Sequence, residues 1–352
     1  MVTGILIDMN RLKSTLIGLL IFLCFGLFFN AAGTAAFQEG GRQAGNQTSY
    51  PTATLRRDFK NSYPINAGEK LEFEVRFSRF PIYATVGVIT FQFLGPVDLK
   101  SASENIANPG PIVPVIPGLN IDYRPPVNEP LLKLRASAVS KGILIAILGI
   151  DVKDRFESIV DGNDFSALLN FQDLKEGKSH TVQSAVFDRE AGKVKYQTND
   201  LNKPDAPPRI KSLPLEQGMM SLLSAFYFVR FQKYKEGQMI QFPVSGYEEN
   251  YIFDILVHKR EKINTDCGKI KAVKLEPKLF GPGKLFNRKG EMFFWLSDDK
   301  KHTPLRMIAK TPQGTVTAKL MNYKNNCQII DPEAPEAEEN QKKNSDNKQP
   351  GK

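Results

Sequence analysis

Alternation of apolar and polar positions is the dominant signal along the chain. In "GEKLEFEVRFSRF", Leu71, Phe73, Val75 and Phe77 alternate with Glu72, Glu74, Arg76 and Ser78. Period two with one wet face predicts an antiparallel strand beside solvent. "YATVGVITFQF" predicts a second strand across a short turn containing Pro81. Strand patterns continue in "LLKLRASAVS" and "DVKDRFESIVD", and "HTVQSAVFDREAGKVKYQT" predicts a hairpin turning at "EAGK". From Gln238 onward, "MIQFPVSG", "NYIFDILVHKREKI", "KIKAVKLEPKL", "GEMFFWLSD", "PLRMIAK" and "TVTAKLMNY" are separated by short turns. Many short strands at regular spacing predict a mostly β fold: an antiparallel curved sheet or barrel-like fold with one packed buried helix.

That helix is expected within residues 215–232, "LEQGMMSLLSAFYFVRFQ". Met219, Leu222, Leu223, Phe226 and Val229 follow helical spacing, while Met220, Tyr227 and Phe231 cover much of the remaining circumference. A helix apolar nearly all round is buried, closing a core or acting as a lid over a cavity. "GILIAILGI" fits a buried strand or a helical turn equally well, since periodicity does not separate the two.

Three stretches break the pattern. Residues 1–36 have Arg11 and Lys13 before an uncharged apolar run from Leu16 to Phe29, then small residues through Ala36. That order predicts a signal peptide and an extracytoplasmic, periplasmic chain; the alternative is an uncleaved inner-membrane anchor through residues 15–32. Cys24 follows Leu23 inside the apolar run, which does not fit a lipoprotein. Residues 37–60 read as a flexible leader. Residues 95–130 contain eight prolines, which cannot form sheet interior, so a long extended loop is expected. Its apolar stretch "PIVPVIPGLNI" implies that part of it lies on its own barrel or on a partner. Residues 61–327 then form a single β-rich domain, and the polar tail 328–352 is expected to be disordered.

The 352 residues are 41% hydrophobic and carry a net charge of +9. Between residues 37 and 327 there are 41 basic against 31 acidic side chains. A basic surface is first of all a solvated lysine-rich face, and otherwise suits anionic lipid headgroups or acidic glycans; no basic run interleaves with aromatics, so nucleic acid is not an expected partner. Export would leave Cys267 and Cys327, which an oxidising compartment could join in a disulfide.

The ordered segments "GEKLEFEVRFSRFPIYATVGVITF", "VKDRFESIVD", "FDREAGKVKY", "LLSAFYFVR", "KEGQMIQFPV" and "LEPKLFGPGKLFNRKGEMFFWLSDDKKHTPLRM" resemble a bacterial envelope family, domain of unknown function 3108. The resemblance spans roughly residues 66–323. It implies an exported antiparallel β domain and no activity, so it carries over no catalytic residue.

Candidate chemistry is sparse. His180, His258 and His302 are far apart, and no spacing fits a metal site or a cofactor. The stretch 275–307 reads as a hairpin whose tip holds Lys284, Arg288 and Lys289 in water, with Asp298 and Asp299 starting the next turn. Arg155 and Glu157 share one face of a strand; pointed inward they could read a polar headgroup, pointed outward they form an ordinary charge pair. With Phe226, Tyr227 and Trp295 they make the candidate ligand-binding set. The leading expectation is a non-enzymatic module holding a lipid-like or amphipathic molecule. The alternatives are a scaffold presenting residues 95–130 to an envelope partner, and a hydrolase of envelope glycan or lipid.

Overall fold

In the computed structural model the described residues are 54–59, 63–97, 130–148, 151–266, 268–281, 284–286 and 289–321. Residues 1–36, most of the proline-rich segment, the tail, and both Cys267 and Cys327 lie outside them.

The first half of the chain forms β1 (Glu69–Arg79), β2 (Ile82–Val97), β3 (Leu131–Ser140), α1 (Ile143–Leu148), β4 (Lys153–Asp161), β5 (Ala167–Glu176), β6 (Ser179–Asp188), β7 (Lys193–Asp200) and β8 (Arg209–Pro214). The second half adds β9 (Met220–Ser221), α2 (Leu222–Arg230), β10 (Met239–Gly246) and β11 (Glu249–Thr265). It ends with β12 (Gly268–Pro277), β13 (Glu291–Ser297), β14 (Pro304–Thr311) and β15 (Gly314–Leu320). All fifteen strands join one sheet in the order 8-7-6-5-4-3-2-1-15-14-13-12-11-10-9. It consists of two antiparallel meanders spliced where β1 pairs with β15, Val75 opposite Ala318, with the short β9 added parallel to β10 at one end.

So large a sheet cannot stay flat. Strand twist accumulates, and bulges at Val75/Arg76 and Val257/Arg260 bend it further. It curls without closing into a continuous ladder. Its two ends are bridged by individual hydrogen bonds. The Ala167 amide donates to the Met219 carbonyl at 2.9 Å. Asn250 Nδ2 donates to the Pro214 carbonyl at 2.7 Å, and Tyr196 OH meets Ser245 Oγ at 2.9 Å. Glu248 accepts from Thr198 at 2.8 Å and from Arg209 at 2.7 Å.

The concave face carries the apolar set of the alternation, including Leu71, Phe73, Val75 and Phe77, all buried. α2 lies across this face. It is shorter than its apolar periodicity suggests because Ser221 stops it at the N-terminus. Ser221 Oγ accepts from the Ser224 amide at 3.1 Å, and Ser224 Oγ accepts from the Ser221 amide at 2.9 Å. This reciprocal cap satisfies two otherwise orphaned donors. Met219 and Met220 therefore fall outside the helix, and Met220 and Ser221 pair with β10 instead. At the other end, Arg230 is fully buried and makes a bidentate pair with Glu69, at 2.5 and 3.0 Å.

"GILIAILGI" resolves as helix α1 over Ile143–Leu148. The packed chain also begins before the first strand pattern. Phe59, inside the stretch read as a flexible leader, is 1% exposed and donates its amide to the Asn163 carbonyl. Its ring meets those of Phe165, Phe228 and Phe231 edge-on at 5.3–6.3 Å.

Candidate functional site: an apolar cavity under the helix

One face of α2 carries Leu222, Ala225, Phe226 and Val229, the i, i+3, i+4, i+7 stripe of a helix facing a partner surface. Its partner is the concave face of β10–β14, but the two surfaces do not meet everywhere. Between them lies an apolar cavity of about 100 Å³ that opens to solvent at its mouth. An apolar cavity of that order accepts a small apolar molecule or part of an acyl chain.

Strand alternation supplies the wall. β12 turns Leu275 and Pro277 inward, and β13 turns Met292, Phe294 and Leu296. Phe226 stacks on Phe91 of β2 at 4.0 Å between ring centroids, with planes 13° apart. No charged side chain lines the space. Binding here would rest on apolar burial and dispersion alone.

The segment joining β12 to β13 completes the wall and differs from its sequence reading. "KLFGPGKLF" contains the same three residues on either side of a Gly-Pro-Gly. Leu279, Leu285 and Phe286 turn into the cavity rather than into water. The Phe286 amide donates to the Leu279 carbonyl at 2.8 Å, and the Gly281 amide to the Phe286 carbonyl at 2.9 Å. Gly281 has φ +120, a conformation that side chains resist. Gly290 gives Phe280 room, since a Cβ there would lie 2.4 Å from its ring. Lys284 ties the segment to Asp254 of β11 at 2.5 Å.

The structure scatters the five residues singled out from the sequence. Phe226 lines the cavity. Tyr227, the next residue on α2, points away, buried against Phe93 and 5.6 Å beneath the Arg230 guanidinium. Burial pushes its phenol well above the ordinary tyrosine range. Trp295 is on the opposite face of β13 from Met292, Phe294 and Leu296. Its indole N–H donates to Glu261 at 2.6 Å, and Arg306 lies 4.3 Å over its ring. Arg155 and Glu157 occupy the face of β4 opposite Phe156, which belongs to the main core. They bind different partners: Arg155 lies 3.7 Å from Asp173, while Glu157 holds Lys133 at 3.0 Å and Arg135 at 2.8 Å.

The histidines sit in three separate places. His180 bonds Asp173, His258 bonds Glu276, and His302 Nδ1 lies 2.8 Å from the Arg230 carbonyl. Among the described residues no three His, Cys, Asp or Glu side chains are grouped as metal ligands. Asp298 is held by Arg260 at 2.8 Å and Lys271 at 3.2 Å, whereas Asp299 accepts the amides of Lys301 and His302, both at 2.9 Å. The two aspartates thus serve separate structural contacts.

A different carboxyl pair is electrostatically unusual. Burial pushes Asp154 up to about 7, against one backbone hydrogen bond from Lys175. Burial, reinforced by Asp154, pushes Glu176 up to about 8. One oxygen of each is buried without a hydrogen-bond partner. Unfolded, both groups ionise near pH 4; folded, both hold their protons to higher pH. The unfolded state therefore binds fewer protons between about pH 4 and 8, and stability falls as pH rises through that window. Melting temperatures from pH 4 to 9 should show this decline, and Asp154→Asn with Glu176→Gln should flatten it relative to wild type.

A curved, incompletely closed sheet around one helix, with an apolar cavity between them, defines a β-barrel-like protein. The chain belongs to the family described as protein of unknown function DUF3108, whose profile matches residues 120–321. Among solved structures it is similar to a β-barrel-like protein of domain of unknown function DUF1849 from Brucella abortus, at 10% identity and TM-score 0.41, covering 72% of this chain and 96% of that one. It is also similar to a candidate exported protein with a YmcC-like fold from Bacteroides fragilis, at 8% identity and TM-score 0.24, covering 73% of this chain and 96% of that one. No curated protein matches it. Among the described residues no helix is long and apolar enough to cross a membrane.

Proposed function

We propose that the protein is a non-enzymatic module of the bacterial envelope that holds an apolar or amphipathic molecule, with the molecule's apolar part between α2 and β10–β14. The observation that carries this reading is the cavity itself. It is walled by side chains from one helix, the sheet and the "KLFGPGKLF" segment, without a charged group in its lining. A sheet that only needed a core could close on the helix; here the stripe and the strands stand apart. The N-terminal pattern of basic start, apolar run and small residues supports an extracytoplasmic location, where lipid-like molecules are at hand.

Titration with N-phenyl-1-naphthylamine, which fluoresces in apolar surroundings, tests the reading. Wild type should take up the probe saturably. Ala225→Phe, which adds a ring at the cavity wall, should abolish uptake while leaving the circular dichroism spectrum intact. A wild-type protein that gives no saturable signal would contradict the proposal.

A further inference from the structure

One end of the sheet is built differently from the rest of the surface. The antiparallel order brings Arg79, Ile82, Ser140, Lys153, Pro277, Glu291, Thr311 and Gly314 to this end. Phe80, 82% exposed, and Tyr83, 69% exposed, project from the β1–β2 turn. Ile143, at the start of α1, is 80% exposed, and Val139 near the end of β3 is 44% exposed. These are four of the six large apolar side chains that stand exposed among the described residues.

The grouping is fixed by backbone contacts. The Lys141 amide donates to the Val86 carbonyl at 3.0 Å. Gly142, at φ +116, sits so close to Thr85 that a Cβ would lie 2.2 Å from its carbonyl oxygen. α1 is thereby seated beside the base of the β1–β2 hairpin. Ile145 of this helix is buried in the main core, while Ile143, two residues earlier, stands out from it. So much exposed apolar surface along one end of the sheet is costly for a protein surrounded only by solvent.

Charge indicates what the cluster meets. Arg76, Arg79, Lys141 and Lys153 surround it, all exposed. The carboxylates at this end include Glu74, 2.6 Å from Arg76, Asp151, 3.4 Å from Lys153, Glu291, 3.9 Å from Lys310, and Glu176, beside Val152. Arg79 and Lys141 have no carboxylate partner among the described residues. Protruding apolar side chains with a cationic collar match an anionic lipid surface: rings and aliphatic groups enter the acyl boundary while the cations stay at headgroup level. A protein partner would more naturally be met by a groove or a flat face than by side chains standing out from a turn.

We infer that the end formed by Phe80, Tyr83, Val139 and Ile143 docks on an anionic membrane surface. The "KLFGPGKLF" segment, which walls the cavity, joins β12 and β13 at this same end, so docking would bring that wall towards the lipid. The inference does not depend on what the cavity holds.

Fluorescence of Phe80→Trp in the full chain isolates the docking end from any membrane affinity of the N-terminal apolar run. Trp295 is buried and contributes the same background in wild type. With vesicles of phosphatidylglycerol and phosphatidylcholine, the emission of the new tryptophan should shift to the blue and be quenched by brominated acyl chains. Both effects should weaken with pure phosphatidylcholine, and also at about 0.5 M salt, where exposed charges are screened. Phe80→Ser, Tyr83→Ser and Ile143→Ser together should reduce affinity for the anionic vesicles by at least about tenfold. A tryptophan at position 80 that keeps its aqueous emission at vesicle concentrations that sediment the chain would overturn the inference. So would a chain that does not associate with anionic vesicles.

Discussion

Replacing Arg230 with methionine is expected to lower the unfolding free energy by roughly 3–5 kcal/mol, among the largest effects of any single substitution in this chain. Arg230 is the last residue of α2 and has no solvent-exposed surface. Its guanidinium engages both oxygens of Glu69 and reaches the carbonyls of Lys301 and His302, each at 3.3 Å. Removing it leaves the Glu69 carboxylate, itself only 5% exposed, buried without its counter-charge. The loss comes from that stranded charge more than from the value of the intact pair, because the pair gives up hydration to form. The double variant Arg230→Met, Glu69→Gln should therefore recover a large part of the stability. Urea denaturation of wild type, both single variants and the double variant checks this. Additive losses would mean that the two side chains act independently.

The second large effect is expected at Phe59. Phe59→Ala should cost about 3–5 kcal/mol, the range for deleting a buried aromatic ring. The ring is wedged among Tyr63, Phe165, Phe228 and Phe231, so neighbouring groups from three parts of the chain would have to collapse to fill the gap. Arg56 and Arg57 hold the segment in place on either side of α2: the Arg56 amide donates to Gln232 Oε1 at 2.8 Å, and the Arg57 guanidinium to the Gly218 carbonyl at 3.0 Å. If thermal melts of Phe59→Ala match wild type, the segment 54–59 does not anchor the core.

These two residues also show what local pattern could and could not reveal. Strand alternation was readable because one face of each strand meets the concave core and the other meets water, as at Leu71–Ser78. The helix was readable because its apolar spacing is continuous. Its start was not: Met219 and Met220 extend the periodicity, and only the Ser221–Ser224 cap ends it. Phe59 carries no period, being a single aromatic in a polar stretch, and its burial depends on residues more than a hundred positions away. Arg230 looks like an ordinary basic residue at a helix end; its burial becomes evident only once Glu69 is placed beside it.

The candidate site was legible to the same degree. Phe226 was identifiable from the helical stripe and does line the cavity. Tyr227 and Trp295 do not: one is on the far side of its helix and the other on the far face of its strand. The inward turn of Leu279, Leu285 and Phe286 was the larger miss. Glycines and lysines around them signalled a solvated tip, yet the repeated "KLF" held four apolar residues that a fully wet turn has no use for. Arg155 and Glu157 share a face as strand geometry requires, but the registers Ser137–Arg155 and Arg135–Glu157 give them different neighbours.

Native mass spectrometry of the full chain, purified without detergent, reads the occupancy of the cavity. A population carrying extra mass in the range of a single lipid is expected, released as a lipid on activation and missing from Ala225→Phe. Wild type found only at its polypeptide mass, both as isolated and after incubation with bacterial envelope lipid, would contradict the proposed binding.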